Sequence, residues 1–302
     1  MDVIFMGTPN YAKVIMERLI STEGINVVAL YTQPDKPVGR KKVMTAPEIK
    51  TLAEENAIQV YQPTRLRDTE TVEELLQIKC DYIIVAAYGQ ILPKAVLDYV
   101  PCINLHASIL PQYRGASPIQ QTLLHGDAKT GVTAMLMDEG LDTGAILKVS
   151  CVNLHDEIMA ETLFDTLTDV ATELTLDILE NFEKYTPIAQ DETEATHCTK
   201  ITKQDGEVTF EDSKTLYNKY RAYTPWPGIY LSSGLKLKYI AHVENMSENE
   251  MGKILKIEND GIVVGCKKGS IRIFTVQPES KKEMDVLSYI NGKRLQNEDT
   301  LS

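Results

Sequence analysis

The sequence predicts a two-part α/β protein, in which a doubly wound, mostly parallel sheet is followed by a smaller antiparallel β-barrel. Three observations carry this expectation. Short apolar runs alternate with stretches of helical periodicity through the longer N-terminal part, the pattern of a parallel sheet covered on both faces. From about Glu207 the rhythm changes to short strands separated by turn signals. A length of 302 residues at 43% hydrophobic content also exceeds one domain, since domains hold ~100–200 residues.

The first part can be followed element by element. Strand-like runs are "VIFMG" from Val3, "NVVALYT" from Asn26, "DYIIVAAYG" from Asp81, "CINLH" from Cys102 and "GVTAMLM" from Gly131. Between them "NYAKVIMERLI", "TAPEIKTLAEENA", "TVEELLQI" and "SPIQQTLLHG" carry apolar residues at helical spacing. A long amphipathic helix is predicted from Glu157 to Glu183, with Ile158, Leu163, Leu167, Val170, Leu174, Ile178 and Phe182 near one face. Residues 1–189 are assigned to this Rossmann-like domain. The polar stretch 190–206, ending in Asp-Gly, reads as a linker.

Residues 207–302 form the second domain. "GIYLSSGLKLKYIAHVE" and "GKILKIENDGIVVGCKKGSIRIFTVQPES" are broken at Ser-Gly, Asn-Asp-Gly and Lys-Gly-Ser, and only "MDVLSYINGKRL" reads as a helix near the end. A five-stranded OB-like barrel, a type that often holds oligonucleotides, accounts for this spacing, as other small barrels would.

Charge and cysteine usage narrow the function class. The net charge is −12, carried wholly by residues 1–203, whereas residues 204–302 hold 14 basic and 14 acidic residues. A wholly basic nucleic-acid binder is excluded, yet the second part is the more basic. The cysteines at 80, 102, 151, 198 and 266 show no paired spacing, which indicates neither a disulfide framework nor a zinc site and fits a reducing cytoplasm. No leader and no apolar stretch of bilayer length is seen, so no membrane association is expected.

Two polar groups stand out against this frame. Asn104 and His106 lie two apart in a strand-like run, so both point to one face while Ile103 and Leu105 point to the other. Open α/β sheets bind ligands at the carboxyl ends of strands, where these residues are expected. "DEGLDTG" at 138–144 places three acids between glycines, which permit a sharp loop that could turn one acid toward His106. Singly, a strand histidine is a satisfied polar residue and an Asp between glycines is a turn former. "FMGTPNY" lacks the full G-x-G-x-x-G pattern, and reads either as a tight strand-to-helix turn or as a phosphate loop, with Pro9 at a helix start favouring the turn.

"NLHASILPQYRGASPIQQTLLHGD" followed by "TGVTAMLMDEGLDTG" resembles the formyl-tetrahydrofolate-dependent formyltransferases, whose signature is Asn-x-His-x-Ser-x-Leu-Pro with a downstream Asp. "TQPDKPVGRKK", "THCTKITKQDGEV", "YTPWPGIY" and "VQPESKKEM" are similar to the methionyl-tRNA formyltransferase family along nearly the whole chain. Sugar N-formyltransferases share the Arg-Gly run after Leu-Pro and are the nearer rivals. The chain departs from the family pattern at Ala107, usually Gly, and after Gly39, where an extra glycine is often found. The resemblance implies catalytic roles for Asn104, His106 and Asp142 and a folate site at Ser108, Ile109, Leu110 and Pro111. Around the pterin it places Ile91, Leu92, Asp138 and Gly140. It further implies 10-formyltetrahydrofolate as the formyl donor, no metal, initiator methionyl-tRNA as the acceptor, and a cytoplasmic monomer.

A tRNA partner has a second basis in charge. The loop from Pro34 to Lys50 carries Lys36, Arg40, Lys41, Lys42 and Lys50 against Asp35 and Glu48. Such a surplus either pairs with phosphates or is a solvated surface loop, and its Gly and Pro content suggests an arm that orders on binding. In the barrel, Lys236, Lys238, Lys267, Lys268, Arg272, Lys281 and Lys282 could form a basic face, with Tyr230, Tyr239 and Phe274 as core.

Overall fold

A computed structural model of the chain describes residues 1–39 and 41–301. They divide into two compact units, the first made of residues 1–118, 129–154 and 163–198, the second of 119–128, 155–162 and 199–302.

The first unit is built on strands β1 (Asp2–Gly7), β2 (Asn26–Tyr31), β3 (Lys36–Val38), β4 (Val43–Thr45), β5 (Gln59–Tyr61), β6 (Tyr82–Ala86), β7 (Cys102–His106), β8 (Arg114–Gly115), β9 (Lys129–Leu136), β10 (Ile146–Asn153) and β11 (His197–Cys198). Its helices are α1 (Asn10–Ile20), α2 (Glu48–Glu55), α3 (Thr69–Leu76) and α4 (Lys94–Leu97). Helix α5 (Pro118–His125) follows β8, and α6 (Ala160–Asn181) follows β10.

The main sheet has the order β10-β9-β7-β6-β1-β2-β5. Strands β5, β2, β1, β6 and β7 run parallel, and β9 is antiparallel to both its neighbours. The parallel core is as apolar as burial on both faces requires: Val3, Ile4, Phe5, Met6, Ile83, Ile84 and Ile103 are fully buried. On one face Ile4, Met6, Tyr31, Ile83, Val85 and Cys102 pack with Leu66, Leu75 of α3 and Val96 of α4. The other face meets α1 and α6, where the Tyr11 hydroxyl donates to the Leu105 carbonyl at 3.1 Å and the Tyr11 and Phe164 rings meet edge to face.

Helix α6 begins three residues later than the periodicity predicts and continues into a 3-10 turn, Phe182–Lys184. Leu163, Leu167, Leu174 and Ile178 form its buried stripe, joined by Ala171 and Leu179. It is long but amphipathic, and no helix among the described residues is long and apolar enough to cross a membrane.

The second unit holds helices α7 (Ser213–Tyr223) and α8 (Val286–Lys293) and strands β12 (Ile229–Tyr230), β13 (Lys236–Glu248), β14 (Ile254–Ile257), β15 (Ile262–Gly265), β16 (Lys268–Gln277) and β17 (Met284–Asp285). They form an antiparallel sheet of order β12-β13-β16-β15-β14, with β17 added to β16. Register shifts along β13 bend this long strand. Leu237, Ile240, Ile254, Ile262, Val264, Ile271, Ile273 and Val276 line its inner face. Each helix is capped by an aspartate: Asp212 accepts from the Thr215 N–H and Asp285 from the Ser288 N–H, both at 2.8 Å.

The division differs from the sequence reading in two places. Residues 119–128 and 155–162 belong to the second unit, because buried Arg221 of α7 donates to the carbonyls of Ile158 and Leu123, and Asn218 donates to that of Leu124. Residues 190–198, read as linker, are built into the first unit, where β11 pairs with β8.

Gly7 has a packing reason in this sheet. A Cβ there would lie 2.4 Å from Ala12 Cβ and 2.7 Å from the Ala86 carbonyl oxygen, so the glycine lets α1 sit close on β1. That agrees with a tight strand-to-helix turn. Gly7→Ala should therefore cost about 1–3 kcal/mol through overpacking, read as a lower denaturation midpoint at unchanged m-value. Wild-type stability would remove this reason for the glycine.

Candidate functional site

All five residues of β7 are buried, including the two polar ones. Cys102, Asn104 and His106 share a face by alternation. Cys102 packs into the apolar cluster on that face, and two positions on the strand turns polar. Such groups stay buried only if they are paired: Asn104 pairs with Asp142, whereas His106 pairs with the Tyr113 carbonyl and lies beside Asp142.

The hairpin between β9 and β10 delivers this carboxylate. Leu136 pairs with Ile103 near the amino end of β7, so the loop starts there and Asp142 reaches back over the strand's side chains. The candidate site therefore covers one face of β7 as well as its carboxyl end. Asp138 Oδ1 accepts from the Gly140 N–H at 3.0 Å and from Thr143 Oγ1 at 2.6 Å, which closes the loop on itself. Gly144 must be glycine, since a Cβ would lie 1.7 Å from the Leu136 carbonyl oxygen. Asp142 takes a left-handed backbone conformation, φ +55°, which Asp tolerates better than most side chains.

Asp142 Oδ1 accepts from Asn104 Nδ2 at 3.3 Å, and Oδ2 accepts from the Gly115 N–H at 2.8 Å. His106 Nδ1 faces Oδ2 at 3.6 Å, with side-chain exposures of 7% for His106 and 12% for Asp142. At that distance the pair is short of a direct hydrogen bond. His106 Nε2 lies 2.9 Å from the Tyr113 carbonyl oxygen. A carbonyl only accepts, so Nε2 carries a proton and Nδ1 is the atom turned to the carboxylate. The structure thus brings Asn104, His106 and Asp142 together.

A second polar cluster lies behind the loop. Arg114 is 1% exposed, and its guanidinium makes four hydrogen bonds. Its Nε and Nη2 donate to Gln190 Oε1 at 3.0 and 2.8 Å, and its Nη1 and Nη2 donate to Glu192 at 2.9 and 2.7 Å. Gln190 Nε2 donates onward to the carbonyls of Asp142 and Gly144 at 2.9 and 2.8 Å. Hydrogen bonds from Arg114 hold the Glu192 carboxyl below its ordinary value. Its pairing is complete above the usual ~4.3 and is lost only as pH falls through the lowered value. Sequence reading missed these three residues. The pairs are 76 and 78 positions apart, and no local spacing signals them.

The expected folate residues separate into two groups. Ser108 is fully buried and its hydroxyl donates to the Gln112 carbonyl at 2.6 Å; Leu110 and Leu92 are buried as well. These three shape loops. Ile109 and Pro111 are partly exposed, Gly140 is exposed, and Ile91 is 70% exposed. The Asp138 side chain is spent on its own loop.

Lys36, Lys41 and Lys42 are exposed on or beside the β3–β4 hairpin, together with Val38, Val43 and Met44. Arg40, expected beside them, lies outside the described residues. The segment expected to be an arm without fixed form is a hairpin anchored at its root, where Lys50 and Gln62 hold Asp35 at 3.1 and 2.8 Å.

The basic face of the second unit is weaker than its composition suggests. Lys267 lies 3.4 Å from Glu211, Lys268 3.8 Å from Asp212 and Lys238 3.9 Å from Glu283, while Arg272 pairs with Glu258 and Asp260. Tyr239 is exposed rather than core and stacks on Phe274 at 4.7 Å.

Known proteins resemble the chain over its whole length. Residues 1–179 match the family described as formyl transferase, and 200–294 match the formyl transferase C-terminal domain. A methionyl-tRNA formyltransferase of Sulfurimonas denitrificans is 65% identical, with 100% of each chain covered. One from a Nitratiruptor species is 54% identical, with 99% of each covered. Among solved structures, an N-formyltransferase from Helicobacter canadensis in complex with folinic acid and dTDP-3-aminofucose has a TM-score of 0.68 at 17% identity, covering 90% of this chain and 98% of that one. HypX from Aquifex aeolicus has a TM-score of 0.61 at 19% identity, covering 96% and 48%. At such identities the two structures establish the fold, whereas the sequence matches establish descent: the chain belongs to the formyl transferase family.

Proposed function

We propose that the chain is a cytoplasmic methionyl-tRNA formyltransferase, moving the formyl group of 10-formyltetrahydrofolate to the free amino group of initiator methionyl-tRNA. The observation that carries this reading is the convergence of Asn104 and His106 on Asp142 over one strand face. The full-length relatives of that name support the acceptor.

In the reaction the acceptor amine attacks the formyl carbon, forming a C–N bond and a tetrahedral oxyanion. Collapse of this intermediate breaks the bond from that carbon to N10. The amine gives up a proton and N10 receives one. The oxyanion needs a donor aimed at it, which the second amide proton of Asn104 Nδ2 supplies, while the Nε2–H of His106 stays on the Tyr113 carbonyl and leaves Nδ1 to take up the proton of the amine. Asp142 orients both and lies across Nδ1 to relay the proton. The exposed Ile91, with the partly exposed Ile109 and Pro111 and the exposed Gly140, offers a rim for a pterin. The Lys36, Lys41 and Lys42 side chains provide charge for the tRNA phosphates.

Replacing Asn104 or His106 by Ala, or Asp142 by Asn, should lower turnover ~10²-fold or more while the fold persists. The readout is formylmethionine from charged initiator tRNA and 10-formyltetrahydrofolate. Near-normal turnover by His106→Ala would take it out of the mechanism. Transfer to a nucleotide-linked amino sugar with none to tRNA would assign the chain to the sugar branch.

Neutralising Lys36, Lys41 and Lys42 should raise the KM for tRNA and flatten its salt dependence, by ~0.7–0.9 in the log–log slope for each phosphate no longer neutralised. The KM for folate should not move. An unchanged slope would leave the hairpin without a role in tRNA binding.

A further inference from the structure

We propose that Gln190, itself fixed by Arg114 and Glu192, is a positioning residue that sets the aim of the Asp142 carboxylate. This inference rests on the reading of Asn104, His106 and Asp142 as the formyl-transfer trio.

Asp142 is a poor candidate to hold its own geometry. It sits at φ +55° in a loop flanked by Gly140 and Gly144, and a non-glycine residue in the left-handed region persists only where its surroundings over-determine it. Besides Asn104, two groups hold Asp142. The carboxylate is held by the Gly115 N–H at 2.8 Å, and the backbone carbonyl by Gln190 Nε2 at 2.9 Å. Both holds lead to the same short strand, because Gly115 follows Arg114 in β8 and Arg114 binds Gln190.

The orientation of the Gln190 amide is not arbitrary. A guanidinium only donates, so the group receiving Arg114 Nε and Nη2 must be Oε1, and the amide nitrogen must face the carbonyls of Asp142 and Gly144. All four of its hydrogen-bonding positions are then used. Arg114 is locked in turn by both Glu192 oxygens, and its own N–H donates to the Thr196 carbonyl at 2.9 Å. The chain of contacts runs from Glu192 through Arg114 and Gln190 to the backbone on which the carboxylate is mounted.

A simpler role would be that Gln190 and Glu192 only satisfy a buried Arg. The two roles use opposite ends of the amide, so one substitution separates them. Gln190→Glu keeps an oxygen for Arg114 and removes the two donors to the loop, setting a carboxylate against two carbonyls instead. If Gln190 only served Arg114, this variant would keep the wild-type kcat.

The test measures full-chain turnover with 10-formyltetrahydrofolate and charged initiator tRNA, alongside thermal unfolding. Gln190→Glu should lower the melting temperature, through the carboxylate set against two carbonyls, yet stay folded at the assay temperature with both KM values kept, while kcat falls ~10-fold, as expected for a catalytic group displaced by a fraction of an ångström. In an Asp142→Asn background the same change should cost nothing further, because the group it aims is already gone. If Gln190→Glu melts below the assay temperature, Gln190→Ala is read in its place; it removes the acceptor of Arg114 as well as the donors to the loop, so its loss counts for positioning only where it vanishes in the Asp142→Asn background. Wild-type kcat in the variant that folds, or an equal fold-loss in the Asp142→Asn background, would overturn the positioning role alone. Wild-type kcat in Asp142→Asn would sink the trio reading and the positioning role with it.

Discussion

A carboxylate laid over the polar face of a buried strand costs free energy unless each of its oxygens finds a donor. Asp142 meets this condition with Asn104 Nδ2 on one oxygen and the Gly115 N–H on the other, with His106 Nδ1 alongside. Much of the surrounding architecture follows from that requirement. The loop must bend sharply enough to bring the carboxylate back over β7, hence glycine where a Cβ would strike the Leu136 carbonyl. Strand β8 must pass close enough to offer an N–H. At Gly115 a Cβ would lie 2.2 Å from the Cys198 carbonyl oxygen, so that closeness also demands a glycine.

The same need explains why two polar residues sit in a strand that is otherwise core. On its other face β7 packs Ile103 and Leu105, and on its own face Cys102 is apolar, so the strand is anchored as a core element before it presents chemistry. Rigid placement of the reacting groups is what a transfer between two large substrates asks of an enzyme, since the barrier is lowered mainly by aim and by fixed dipoles.

The alternation of strands and helices was legible because each parallel strand is buried on both faces and reads as an apolar run. Asn104 and His106 were legible through period-two alternation, and Asp142 through its glycine-flanked loop. What stayed hidden depends on contacts between distant positions. Arg114, Gln190 and Glu192 carry no local pattern that joins them. The polar composition of residues 190–198 suggests a linker because their hydrogen bonds go to β8 and to the Asp142 loop, which sequence does not reveal. Arg221 in α7 is buried against backbone carbonyls, a placement that no local pattern signals. Composition also overstated the basic face of the second unit, since Lys238, Lys267, Lys268 and Arg272 each lie beside an acid.

The central claim is that formyl chemistry takes place where Asn104 and His106 meet Asp142. A crystal structure of the protein with tetrahydrofolate, the product left when the formyl group has gone, tests it directly. The account predicts the pterin against the 88–92 and 138–144 loops, with N10 directed at the trio so that a formyl oxygen carried on it would lie about 2.7–3.1 Å from Asn104 Nδ2, the range in which an oxyanion donor acts. A folate bound in the same cleft with N10 turned away from all three side chains, or bound elsewhere on the chain, would contradict it.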